Sequence, residues 1–381
     1  MKTRVYRFID LFCGAGGLAQ GFRSASDSSI EFRPVFAVEC EPAFAASYAA
    51  NFGDHVFVHN IEKLNQKDVP DAEIVIGGPP CQGFSNLGKV SPTDHHAGLN
   101  RLWRYYFKVV EWVQPLAFVV ENVPEFLSSP EFQEALRKAR KLGYETDHGV
   151  LNAADFGVPQ TRRRGFLIGA KKRQPRLPMG TTKRGEKKVW DAIHDLLDEP
   201  LVYSFQNGHT VDGKYVAHEA SELHIGRNPT PTSLERYRTI PPGGNRFTLM
   251  KLRPDLTPGC WIRKKTGATD VMGRLEWNKP ALTIRTEFFK PEKGRYLHPE
   301  KDRPITHREA ARLQTFPDDF KFCGTKIEIA RQIGNAVPPK LAEAVAGAVI
   351  SALQGKRICL AAPSKPKIFL PRGQLDLILK C

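Results

Sequence analysis

Cys81 has the setting in this 381-residue chain that most calls for a chemical explanation. The apolar run Glu73-Ile74-Val75-Ile76 leads into Gly77-Gly78-Pro79-Pro80-Cys81-Gln82-Gly83-Phe84-Ser85. Such a run reads as a buried strand, and the two prolines fix φ in the corner that follows. A free cysteine is ordinarily a small buried hydrophobe. Set on a stiff corner at a strand end, it becomes a candidate nucleophile, acting as the thiolate. Glu121 follows the apolar run 117–120, so it also ends a strand. Partial desolvation there raises a carboxyl pKa and suits proton donation. Gln160-Thr161-Arg162-Arg163-Arg164 precedes a further apolar run, 165–168. If both form one strand, residues 160, 162 and 164 share a face, and two guanidiniums there would orient a carboxylate or phosphate.

A second constellation lies upstream. The run 6–12 enters Cys13-Gly14-Ala15-Gly16-Gly17, and Gly14, Gly16 and Ala19 fit a G-x-G-x-x-(G/A) spacing. Small residues there let the backbone turn sharply and touch a ligand. Glu39 ends the next apolar run, where a carboxylate can accept both hydroxyl protons of an adenosine ribose. The order strand, glycines, helix, strand-end acid describes a nucleotide-type cofactor site. It does not choose between a nicotinamide cofactor and S-adenosylmethionine.

The elements that must position these groups follow from periodicity. Strands are expected at 6–12, 34–38, 73–76 and 117–120, and helices at 18–22, 42–51 and 101–113. Their alternation predicts an α/β fold with a parallel sheet covered on both faces, and ligands beyond the carboxyl ends of its strands. After Ala170 the stretch KKRQPRLPMGTTKRGEKK reads as a linker or surface loop. Residues 171–303 hold 26 basic and 16 acidic residues, a net of +10 out of +15 for the chain. Weak periodicity and many turns make this a separate, irregular lobe. Thr306-x-x-Glu309 is a capping box opening a helix through Leu313, closed by Pro317, and an apolar helix over 339–353 should pack back on the first lobe.

Composition limits the function. Hydrophobic residues are 41% and charged residues 25%, which excludes wholesale disorder. The net charge of +15 favours an acidic partner, nucleic acid ahead of an anionic membrane. No apolar run approaches the ~20 residues of a membrane-spanning helix. Asp10 interrupts the apolar start, so no signal peptide is expected. Seven cysteines, an odd number without CxxC or Cys/His spacing, argue for a reducing cytoplasm and against disulfides or a metal site.

DLFCGAGGLAQGF, GGPPCQGFS, ENV, QTRRR, REAARLQTFPD and GNAVPP occur in that order. Together they resemble the motifs of the DNA (cytosine-5)-methyltransferases of prokaryotic type, over residues 6–170 and 304–350. The middle lobe falls where that family places its variable target-recognition segment. The resemblance implies an S-adenosylmethionine-dependent, Rossmann-like large domain with a smaller, irregular target-recognition domain. Residues 1–175 would be catalytic and cofactor-binding, 176–325 target recognition, 326–355 a helix returning to the catalytic domain, and 356–381 a tail.

By the same resemblance, Cys81 would attack carbon 6 of a cytosine flipped out of duplex DNA. Glu121 would engage ring N3, and Arg162 and Arg164 would position the base and the acid. Phe12, Gly14, Gly16, Gly17 and Leu18 would hold the methionine side of S-adenosylmethionine, and Glu39 its ribose. Asn60, Ile61, Pro80, Leu102, Asn335 and Val337 match further cofactor contacts. Two positions depart from the pattern: Asn60 replaces an acid facing the adenine amine, and Cys40 replaces a stacking aromatic. Gln82 and Ser85 would contact DNA, with Arg227, Arg236, Arg238, Arg246, Arg263 and Arg274 as candidate base readers. The expected partners are double-stranded DNA and a cognate restriction endonuclease acting on the same site, with the chain a cytoplasmic monomer. The first motif begins at Asp10, which suggests a stand-alone prokaryotic or phage enzyme with no regulatory domain ahead of it. The alternative is the tRNA cytosine-5 methyltransferase branch, disfavoured because Gly83, not proline, follows Gln82.

Overall fold

The computed structural model describes residues 3–80, 101–205, 208–263 and 268–354. Cys81, Gln82 and Ser85, and the tail 356–381, lie outside the described residues. A seven-stranded sheet is built from β1 (Arg4–Leu11), β2 (Ile30–Glu39), β3 (Val56–Val58), β4 (Ile74–Gly77), β5 (Ala117–Asn122), β6 (Glu145–Asn152) and β7 (Arg163–Ala170), in the order β3-β2-β1-β4-β5-β7-β6. The helices α1 (Gly17–Ser24), α2 (Pro42–Phe52), α3 (Leu102–Val113) and α4 (Pro130–Lys141) alternate with the strands. The first five strands are parallel, as their alternation with helices requires. The expectation of a wholly parallel sheet is corrected at one edge. β7 runs antiparallel to both β5 and β6, because it follows β6 as a hairpin-type neighbour, not across a helix.

Alternate residues of β1 feed two cores. Tyr6 and Phe8 pack on one face with Phe22 of α1 and with Leu341, Val345 and Val349 of the helix Pro339–Gln354. Ile9 and Leu11 pack on the other with Phe107 and Val110 of α3 and Phe132 of α4. The C-terminal helix lies so close to α1 that a Cβ on Gly21 would fall 2.2 Å from Ala342 Cβ. This helix returns to the first lobe as its apolar pattern requires. Lys326–Gln354 is long and apolar enough by composition to cross a membrane. It is two helices interrupted before Pro339, and most of its apolar positions are buried in the two lobes.

A further cluster gathers Val189, Ile193, Leu223, Ile284, Phe288, Leu313 and Phe320. Ile329, Ala330 and Ile333 of the helix Lys326–Asn335 belong to it, so the return to the first lobe starts at Val337. An outer cluster of Tyr237, Ile240, Leu249, Met272 and Leu297 is built around short helices. Arg274 holds this part together. Its five donors go to the carbonyls of Ile240, Tyr237, His298 and Lys301 and to Asp302. Its place among the candidate base readers is therefore corrected: a guanidinium with every donor used has none left for guanine.

The capping box forms as expected, with Thr306 Oγ1 accepting from Glu309 N and the Glu309 carboxylate accepting from Thr306 N. Glu309 is fully buried and also takes two bonds from Arg303, at 2.9 and 2.7 Å. Burial opposes its charge, but the Arg303 bonds prevail and hold its pKa down to about 2 against an ordinary 4.5. His298, buried beside it, is pushed down to about 3 by burial. Both shifts have one sign for stability: the unfolded chain binds more protons on acidification. Stability should fall as the pH drops below about 6.5, through His298, and further between about 4.5 and 2, through Glu309. Glu309→Gln leaves Arg303 buried without its charge partner and should cost about 3 kcal/mol or more in urea unfolding at pH 7. A loss below about 0.5 kcal/mol would show that the pair is dispensable.

Candidate active site

The glycine turn begins where β1 ends. Phe12 has φ +57°, and Gly14 and Gly16 have φ +54° and +95°. At Gly16 a Cβ would lie 2.3 Å from the Phe52 ring, so only glycine fits. At Gly17 it would lie 2.6 Å from the Val337 carbonyl oxygen, which seats the turn against the segment before the C-terminal helix. Around Gly14 the corresponding space is open. Glu39 ends β2 beside the turn. Its Oε2 accepts from Gly14 N at 2.9 Å, and its Oε1 from Cys40 N and Glu41 N at 2.9 and 3.0 Å. Three amides thus orient one carboxylate next to an open glycine.

Asp10, on β1 beneath the turn, is buried and its Oδ2 has no partner. Burial, with the nearby Glu39 charge, pushes its pKa well above the ordinary range. The unpaired oxygen, the open space at Gly14 and the fixed Glu39 carboxylate fit a cofactor with a cationic amine and a ribose. Asp10 was not among the sequence candidates, where it served only to break an apolar start. Leu18 and Val337 are buried against the turn, while Phe12 and Leu102 pack at the edge of the second face. Ile61 is buried, and Asn60 caps its short helix, with Oδ1 accepting from Glu62 N at 3.0 Å. The oxygen that replaces the usual acid therefore already has a structural bond. Cys40 is exposed beside Glu39, and burial of its thiol and that charge raise its pKa to about 11.

The other site lies over β4 and β5. Asn122, buried at the end of β5, donates through Nδ2 to the Pro79 carbonyl at 3.0 Å and anchors the Pro79-Pro80 corner that leads to Cys81. Gly78 faces Glu121, and a Cβ there would lie 2.8 Å from Glu121 Oε2. The roles of Gly78 and Asn122 escaped the sequence reading, although both stand inside motifs it quoted. The antiparallel register sets Asn122 opposite Gly165, which brings Arg164 beside Glu121 with Nε 3.0 Å from Oε1. Both side chains are mostly buried. Burial raises the Glu121 pKa above the usual carboxylate range, and Arg164 and then Arg162 oppose that rise. The arrangement is a largely desolvated acid oriented by a guanidinium, suited to donating a proton to a ring nitrogen.

Arg162 does not share this task in the way its spacing suggests. The strand begins only at Arg163. Arg162 is fully buried, and its Nη atoms donate to the carbonyls of Ile284, Gly334 and Asn335 at 2.9, 2.9 and 3.2 Å. The expectation of two guanidiniums converging on one anion is corrected: a residue preceding the strand turns into the joint between the lobes. Gln160 is buried there too, bonded to Gln314 and to the amide of Ile284.

With this geometry in view, comparison with known proteins decides the family. The model of the C-5 cytosine-specific DNA methylases matches residues 6–351. The chain belongs to that family. Its relatives include the type II methyltransferase M.XorII of Xanthomonas oryzae pv. oryzae, 35% identical over 97% of this chain and 89% of the relative. Another is the type II methyltransferase M1.HphI of Haemophilus parahaemolyticus, 34% identical over 90% of this chain and 86% of the relative. Among solved structures, a prophage-encoded Escherichia coli protein described as a DNA modification methyltransferase superposes with a TM-score of 0.66. It is 26% identical and covers 92% of this chain and 99% of its own. The family implies S-adenosylmethionine as cofactor. Among the described residues no group of three or more His, Cys, Asp or Glu gathers as for a metal ion.

The remaining candidate base readers of this methylase are scattered over the middle lobe. Arg227 is exposed and bonded to the Phe289 carbonyl, Arg236 donates to the Leu256 carbonyl, and Arg238 lies 3.7 Å from Asp302. Arg263 is exposed at the end of a short helix. Arg246 is buried, with its guanidinium 4.7 Å from the Phe247 ring and Nε and Nη2 without partners. The contact between Gly78 and Glu121 gives a direct test. Gly78→Ala should displace the acid and lower kcat about 100-fold, while S-adenosylmethionine affinity, measured by calorimetry, stays within about twofold. An unchanged kcat would mean that the acid has room to relax.

Proposed function

We propose that this methylase transfers a methyl group to carbon 5 of a cytosine flipped out of a specific duplex DNA site, through a covalent adduct with Cys81. The observation that carries the reading is the desolvated Glu121, held by Arg164 beside the corner that presents Cys81. The Cys81 thiolate forms a bond to carbon 6 while Glu121 gives its proton to N3, so that carbon 5 becomes electron-rich. S-adenosylmethionine, when bound by Glu39, the glycine turn and the Asn335–Val337 segment, supplies the methyl group that carbon 5 takes. Loss of the carbon-5 proton to water then restores the double bond, N3 returns its proton to the Glu121 carboxylate, and the carbon 6–sulfur bond breaks to release the Cys81 thiolate, with S-adenosylhomocysteine as the co-product. Gln82 and Ser85 would contact the opened duplex. The net positive lobe would hold the phosphates, with Arg227, Arg236, Arg238, Arg246 and Arg263 as the pool from which any base readers come. Kinship with type II methylases supports a monomeric, cytoplasmic enzyme paired with a restriction endonuclease of the same specificity.

Bisulfite sequencing of DNA from cells expressing the chain should show one methylated cytosine context, and Cys81→Ser should abolish it. Methylation of tRNA but not DNA by the pure protein would instead favour the tRNA branch. Cognate duplex carrying 5-fluorocytosine should trap a denaturant-stable complex, because fluorine cannot leave as a proton does. Failure to trap at a site that the enzyme methylates would refute the adduct. Affinity for duplex DNA should fall by about 10³ or more between 50 and 200 mM salt if six or more phosphates are contacted.

A further inference from the structure

Arg162 is a large, fully buried side chain whose Nη donors go to main-chain carbonyls and whose Nε has no partner, and none of them bonds Glu121. Its acceptors come from two separate segments. Ile284 belongs to the stretch 281–284, which is tied to Thr161 by the bond from Thr161 N to the Ala281 carbonyl and by the Thr283 hydroxyl. Gly334 and Asn335 end the helix Lys326–Asn335, whose last carbonyls have no intrahelical partner. A guanidinium at that terminus satisfies those carbonyls and meets the negative end of the helix dipole. Gly334 has no room to move away, since a Cβ there would lie 2.5 Å from Thr286 N. Beyond the helix the chain passes Ala336 to Val337, whose carbonyl packs on Gly17 of the glycine turn. Two residues after Arg162, Arg164 grips Glu121.

We propose that Arg162 is a positioning residue that couples the two halves of the active site, fixing the Asn335–Val337 wall of the cofactor cradle relative to the strand that orients the catalytic acid. The proposal rests on the methyltransferase reading of the cradle. It makes the paired arginines unequal: Arg164 serves the base side, and Arg162 serves the cofactor side without touching the base. A bonding pattern made wholly of main-chain acceptors explains why the guanidinium's rigid fork suits the position, since it bonds three carbonyls on two segments at once.

The test compares Arg162→Met, Arg162→Lys and Arg164→Lys in the full chain. S-adenosylmethionine and S-adenosylhomocysteine binding is measured by calorimetry without DNA, alongside kcat, KM for DNA and the thermal midpoint. Arg162→Met should weaken both ligands about tenfold or more, and Arg162→Lys should recover part of the loss. Arg164→Lys should lower kcat while leaving both affinities within about twofold. Wild-type ligand affinity in either Arg162 variant, with kcat reduced as in Arg164→Lys, would overturn the proposal. If Arg162→Met does not fold, Arg162→Lys decides alone: wild-type affinity refutes the coupling and a loss of about threefold or more supports it. Failure of the unaltered chain to bind S-adenosylmethionine would instead strike at the methyltransferase reading itself.

Discussion

The antiparallel pairing of β7 with β5 is the constraint on which the site depends. In the parallel part of the sheet, each strand delivers its carboxyl end to the ligand edge, which is how Glu39, the Pro79-Pro80 corner and Glu121 come to one side. A further parallel strand would have carried Arg164 to the opposite edge. Reversal brings the amino end of β7 to that edge, with Asn122 opposite Gly165. An arginine 43 positions from Glu121 in sequence thereby becomes its ion-pair partner, at 3.0 Å.

This pairing also sets the electrostatics. A carboxyl at the end of a buried strand loses its hydration, which raises its pKa, and the adjacent guanidinium limits the rise. That balance is the one the proposed proton donation to a ring nitrogen would use. Gly78 gives the carboxylate room, and Asn122 joins the end of β5 to the corner from β4. The Glu121 carboxyl and the Pro79-Pro80 corner are therefore referenced to the same two neighbouring strands and not to separate loops.

Buried polar bonds cross the joint between the lobes, beside apolar contacts such as Phe52 against Phe320. Gln160 bonds the Gln314 side chain and the Ile284 amide, Arg162 bonds the carbonyls of Ile284 and Gly334, and Gln314 bonds the Ile333 carbonyl. Such bonds are directional, and leaving one partner unpaired in the interior is costly. They tie the chain at Arg162 to the segment 281–284 and to the end of the helix Lys326–Asn335, while the outer part of the middle lobe is built separately around Arg274 and a small apolar cluster.

Much of the fold was legible because its signals are local. Short apolar runs between glycine or charged residues marked β1, β2, β4 and β5, and the Thr306–Glu309 box marked a helix start, since strand burial and capping act within a few residues. The glycine turn, Glu39 and Glu121 stand at the carboxyl ends of strands, where the apolar runs put them, and the Pro79-Pro80 corner follows β4; Cys81 itself lies outside the described residues. Strand direction, by contrast, is not written in a run of apolar residues, so the reversal of β7 was not legible, and neither was its start at Arg163, which leaves Arg162 outside the strand. Burial of a charged side chain is equally invisible, because it is decided by acceptors that lie far off in sequence. Arg162 finds its own at 284, 334 and 335, and Arg274 finds carbonyls at 237, 240, 298 and 301. Residue type and local pattern were enough to name the candidate groups and to put Glu39, Glu121 and the Pro79-Pro80 corner at strand ends. Which arginine meets Glu121 and which bonds the carbonyls of Ile284 and Gly334 was set by folding, because it depends on strand direction and on acceptors that lie far apart in sequence.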